Sequence, residues 1–200
     1  MCDLKPNPAE QAFLSLGYNR FLDLFKEIES KPFWQQEPLY RFHRIRDIFA
    51  IYSELTQYEA LKHVLETKKA SRPVEHDLGE RFFSFVRHLL AHFPLFDSWD
   101  AVTIDQQLAT WEGPKRRIHK FLTDFEGKPP VKYRFFDFAT KEMIYVTINF
   151  PTDYSQNRPI QLSAILTERD GVRFSIRLML DILLHNVEDR ESILAELRAQ

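Results

Sequence analysis

The chain has 200 residues, 44% of them hydrophobic, 18 of them phenylalanine, with a net charge of −2. That is enough chain to bury a core, and too apolar for a disordered protein. The near-neutral charge excludes a basic coat for duplex DNA and leaves room for a local cationic site. The opening "MCDLKPNPAE" has no apolar stretch of a secretory signal, no run approaches the roughly 20 apolar residues that span a bilayer, and the single cysteine, Cys2, cannot pair within the chain. A cytoplasmic protein with no membrane association is the expectation.

Residues 8–29 carry Phe13, Leu16, Phe21, Leu24, Phe25 and Ile28 at helical spacing, which predicts an amphipathic helix that Pro32 ends. A second helix is predicted from Leu39 to about Thr67, followed by a polar loop, "KKASRPVEHD". A third spans about Leu78 to His92, since Pro94 disfavours helical geometry at Phe93. "TIDQ" at 103–106 has the form of a capping box, with Thr103 as N-cap of a short helix that Gly113 closes. Pro114 is placed to start the next helix, "PKRRIHKFLTDF".

The aromatic and β-branched stretches on either side of "ATKE" predict a β-hairpin of about 131–138 and 143–150. Residues 160–168 fit strand or helix equally, and a final apolar helix is expected over about 173–187, then a charged tail helix. The whole reads as one mainly α domain over 1–200: a helical bundle of about 8–125, with the hairpin and C-terminal helices from 126 onward.

The third helix holds the run "RHLLAH" at 87–92. At 100° per residue, Phe82, Phe85, Val86, Leu89 and Leu90 share one face, and Ser84, His88 and Ala91 fall opposite it. Arg87 and His92 take opposite shoulders, about 140° apart. Ser84 and Ala91 are small enough to admit a neighbouring helix, and a two-fold mate would bring both arginines and both histidines together.

Arginine, a polar residue, three variable residues and histidine, late in a bundle helix, resembles the R-polar-x-x-x-H signature of the HEPN superfamily. The resemblance covers at most residues 10–125 and implies a metal-independent endoribonuclease with a composite site across a homodimer. Arg87 and His92 match the ends of that motif, His88 its polar second position, and Glu80 an acidic residue often found upstream. Pro94 stands where some members carry a tyrosine, so no role of that tyrosine transfers. The family also implies RNA as substrate, a toxin–antitoxin or phage-defence setting with an antitoxin partner, and no cofactor.

The chemistry is coherent on these residues. RNA carries its own nucleophile, the 2′-hydroxyl, so cleavage needs proton transfer and charge stabilisation, with no metal. A histidine in the last helical turn faces the negative end of the macrodipole, which favours its protonated form. A guanidinium suits a phosphate whose charge builds in the transition state. Lys115, Arg116 and Arg117 are candidate phosphate contacts beside the site, or else the wet side of their helix. His88 and His92 have the i, i+4 spacing of a chelating pair, but Leu89 stands where the zinc-protease pattern needs glutamate. The competing function is a non-catalytic RNA- or protein-binding module whose "RHLLAH" helix makes the dimer.

Overall fold

In the computed structural model the described residues are 6–71, 73–92, 96–107, 116–137, 140–185 and 189–199. Helix α1 (Pro8–Glu29) is started by a reciprocal cap: Asn7 Oδ1 accepts from the Ala9 and Glu10 amides at 3.0 Å, and the Glu10 carboxylate accepts from the Asn7 amide at 2.8 Å. It buries Phe21, Leu24, Phe25 and Ile28. A 3-10 turn over Pro32–Gln35 then leads to α2 (Pro38–Leu55), which buries Phe42, Ile45, Ile48, Phe49 and Tyr52.

Two expectations are corrected in this region. The helix expected over 39–67 is broken at 56–58, and α3 (Glu59–Ser71) begins after the break. Thr56 Oγ1 and Gln57 Nε2 both donate to the Ser53 carbonyl, at 3.0 and 3.1 Å, taking the acceptor that a continuing helix would use. The stretch expected as a polar loop is almost wholly helical, because α4 (Pro73–His92) starts on a proline whose fixed φ suits a first helical position.

A further correction concerns "TIDQ". A helix does begin in this segment, but only at Gln106, and Thr103 is not its N-cap: Thr103 and Ile104 form strand β1, antiparallel to β4 (Ile160–Gln161), and Ile104 is wholly buried. Burial of Val102 and Ile104 holds the segment in the core, and the Leu162 amide bonds the Val102 carbonyl at 3.0 Å. The predicted closure at Gly113 and restart at Pro114 lie outside the described residues. Helix α5 (Arg116–Phe125) packs on α4, with Phe121 stacked on Phe85 at 4.4 Å between centroids.

The hairpin forms where predicted, as β2 (Val131–Asp137) and β3 (Glu142–Ile148), paired Tyr133↔Val146 and Phe135↔Ile144. Phe135, Val146 and Ile148 face the core, and Tyr133 packs on Phe174 at 5.1 Å. The ambiguous stretch divides into β4 and a single helical turn, α6 (Leu162–Ile165). Helix α7 (Glu168–Leu183) begins five residues before the expected start, because Thr167 Oγ1 caps it by accepting from the Asp170 amide. Helix α8 (Arg190–Ala199) closes the described chain.

Although α7 belongs to the C-terminal third, it packs against α1, α2, α3 and α4 and against β3, so it is central to the bundle. It carries two buried arginines, each 8% exposed. Arg177 meets Glu29 at the end of α1 through Nε and Nη2, at 3.1 and 2.5 Å. Arg173 meets Glu29 at 3.3 Å and Asp137 at the tip of β2 at 2.7 Å. Their flat faces rest on the rings of Phe25 and Phe135. Four charges thus join helix, helix and hairpin with little exposure to water.

Near the start of α7, Trp99 is fully buried and donates from Nε1 to the Leu166 carbonyl at 2.9 Å. A Cβ on Gly171 would sit 2.9 Å from that indole, whereas one on Gly79 would meet only Leu178 at 3.4 Å. The two helical glycines should therefore respond with opposite signs. Gly171→Ala is expected to lower stability by about 1–2 kcal/mol, the overpacking exceeding the gain in helix propensity. Gly79→Ala should raise it by about 0.5–1 kcal/mol. Urea midpoints of the two variants check this; equal shifts in the same direction would contradict it.

Candidate functional site

α4 is covered on several sides, by α2, α3, α5 and α7, and this decides where its polar residues go. Phe82, Phe85, Val86, Leu89 and Leu90 are buried as the periodicity requires. His88 does not share the outer face expected for it with Ser84 and Ala91. It is 7% exposed, because the covered arc of α4 is wider than one apolar stripe. Ala91 is exposed, and Ser84 is half-buried.

One edge of α4 opens onto a cleft of about 990 Å³, bounded also by the end of α2, by α3, β2 and α7. Its floor is aromatic: Phe83, stacked on Phe49 at 5.5 Å and edge-on to Tyr52 at 4.9 Å, together with the Tyr133–Phe174 pair. Burial, reinforced by the negative charges of Glu80 and Asp181, pushes the Tyr52 hydroxyl well above its usual range, so it stays neutral.

Three guanidiniums line this cleft: Arg87 from α4, Arg117 from α5 and Arg134 from β2. Arg87 is half-buried and the other two are exposed. Among the described residues none of the three has a hydrogen-bond or ion-pair partner. By contrast, Arg41 meets Glu168, Arg44 meets Glu27, Arg81 meets Asp124, and Arg173 and Arg177 meet Glu29. Residues 40–46 of α2, "YRFHRIR", also interleave aromatics and cations, but they are structural, with Phe42 and Ile45 in the core and Arg41 and Arg44 paired.

Burial first, and then the positive charge of Arg117, lower the Arg87 pKa below its ordinary value, with Glu54 opposing. A guanidinium nevertheless stays protonated at any physiological pH. The cleft thus holds positive charge partly out of water and near a second cation, a cost that an entering anion would relieve.

Of the residues singled out by sequence, Glu80, Arg87 and Arg117 come together in this cleft. His88 is not among its lining residues. His92 closes α4, but its side chain, the side chain of Arg116 and the whole of Lys115 lie outside the described residues. Sequence reasoning missed Arg134, and it missed the opposite wall, where Lys68 pairs with Asp181 at 2.6 Å. It also missed His185, an imidazole one turn beyond Asp181 that lines the cleft. The signal for Arg134 was its place on the outward period of a strand. No comparable signal marked His185.

Among the described residues no group of three or more His, Cys, Asp or Glu is placed to hold a metal ion. No described helix is long and apolar enough to cross a membrane. No family model, no curated protein and no solved structure matches this chain.

Proposed function

We propose that this chain binds RNA in the α4–α7 cleft and cleaves it without a metal ion. The observation that carries the reading is the set of three guanidiniums, Arg87, Arg117 and Arg134, lining one cleft with no carboxylate partner among the described residues. Phosphodiesters, like carboxylates, are anions whose geometry such planar, permanently charged donors match. The sequence resemblance to the HEPN motif assigns Arg87 the same task from an independent direction.

In this reading Arg87 holds the scissile phosphate. A base takes the proton of the 2′-hydroxyl, whose oxygen attacks phosphorus, and an acid protonates the departing 5′-oxygen. The products are a 2′,3′-cyclic phosphate and a 5′-hydroxyl, so no water and no metal enters the bond-breaking step. His92 is assigned the proton transfers. Its position about 140° round α4 from Arg87 makes a site shared between two copies the natural arrangement, with a homodimer as the working form. The buried His88 is left a positioning role. Glu80 lines the same cleft as a candidate contact to the sugar, and Lys115 and Arg116, next to Arg117 in the chain, are the further candidate phosphate contacts. A cytoplasmic setting, with a protein antitoxin as a further partner, belongs to the same reading.

Incubation of a mixed RNA with the protein in EDTA tests it. The expected result is cyclic-phosphate-ended product from wild type, unchanged by EDTA and lost in His92→Ala with dimerisation intact. His185→Ala is run beside it, since His185 is the imidazole that lines the cleft. Absence of cleavage by a wild type that still binds RNA would favour the non-catalytic RNA-binding module, which the same three arginines support.

A further inference from the structure

The hairpin has two faces of different character. Val146, Ile148 and Phe135 point inward and are buried. The other face, which in a half-buried hairpin is ordinarily polar, presents Tyr145 at 64%, Met143 at 45% and Phe136 at 39% exposure. These residues form one patch. The register sets Phe136 directly opposite Met143 and Arg134 directly opposite Tyr145, which makes Phe136 and Tyr145 diagonal neighbours. Lys132, opposite Thr147, continues the row. The outward positions of the two strands therefore hold two cations, two aromatic rings and no carboxylate. Arg134 belongs both to this face and to the cleft, so the two surfaces are continuous.

We infer that the outer face of the β2–β3 hairpin is a base-stacking platform that receives single-stranded RNA as it leaves the cleft. Tyr145 and Phe136 each take the face of one base, Met143 fills beside them, and Arg134 holds the phosphate that joins platform to cleft. Charge complementarity selects a polyanion, and exposed rings select one whose base faces are free, which excludes a duplex whose bases already cover one another. The inference rests on the RNA reading above and adds the strandedness of the substrate and the residues that sense it.

The test is fluorescence anisotropy of a labelled 2′-O-methyl oligouridine of about 12 nucleotides, which cannot be cleaved, titrated with the full chain. The same strand in a duplex is the comparison. Tyr145→Ala is expected to weaken single-strand binding roughly 5- to 100-fold with the salt dependence unchanged, and Tyr145→Phe to keep wild-type affinity, because the ring does the stacking. Duplex binding should not respond to either variant. Wild-type affinity in Tyr145→Ala, alongside lost affinity in Arg87→Ala, would overturn the platform and leave the cleft reading standing. A wild type that binds no oligouridine would remove both. Sedimentation of wild type and Tyr145→Ala separates the remaining occupant: an oligomer dissolved by the substitution, with RNA affinity intact, would make this face a contact between copies.

Discussion

Glu29→Gln is expected to lower the stability of the chain by about 3–5 kcal/mol, the largest single loss of folding stability among the variants considered. The carboxylate of Glu29 faces both Arg173 and Arg177, and each of these arginines is 8% exposed. With Glu29 neutral, both buried cations lose the carboxylate they share, and Arg173 keeps its bridge to Asp137. Breaking a buried ion pair by removing one partner is costly because the other charge can neither find water nor move away. The exposed pair Lys26–Glu196 provides the contrast, since Glu196 is 61% exposed and its removal should cost less than about 1 kcal/mol. Urea unfolding of Glu29→Gln and Glu196→Gln measures both. A loss below about 1 kcal/mol for Glu29→Gln would mean that water reaches the network.

The second large effect is on function. Arg87→Ala is expected to reduce RNA cleavage by roughly 10²–10³-fold, the scale of removing a preorganised donor from a developing anion. Folding stability should change little, because Arg87 forms no ion pair or hydrogen bond with a described residue and its charge is disfavoured by burial and by Arg117. The substitution relieves that cost. A residue kept for stability would behave in the opposite way, with stability falling and cleavage following only through unfolding. Cleavage rates and urea midpoints measured on the same preparation separate the two cases. Arg87→Lys should recover little, since an ammonium cannot make the paired contacts of a guanidinium.

The mainly helical architecture and the hairpin were legible because their signals are local. The apolar residues of α1 recur at helical spacing, and "ATKE" separates two β-prone runs. Where the reading failed, side-chain chemistry or tertiary contact had decided the structure. Thr56 and Gln57 end α2 by bonding one carbonyl, a competition that hydrophobic periodicity does not register. Thr103 has the credentials of an N-cap, but burial of Ile104 and pairing with Ile160 make it a strand. His88 was placed outside because a single helix wheel cannot show how many neighbours surround it.

Part of the site was legible in the same sense. Arg87 and Glu80 were identified from one helix, and the structure sets them in one cleft with Arg117. Arg134 and His185 stand 47 and 98 residues beyond Arg87, and only the tertiary fold, which sets β2 and the end of α7 around the same cleft as α4, brings them there. Arg173 and Arg177, four apart among the buried residues of α7, could have signalled a buried partner, though not that Glu29 would supply it.

The central claim is that the cleft is a phosphate site, and salt dependence measures phosphate contacts directly. The measurement is the affinity for 2′-O-methyl oligouridine across a range of salt, for wild type and for the triple variant of Arg87, Arg117 and Arg134 to Ala. The account predicts that the slope of log K against log salt becomes shallower by about 2, at about 0.7 for each lost contact to a single strand. Equal slopes in the two proteins would contradict it, for the three guanidiniums would then face the cleft without meeting the backbone of any RNA bound there.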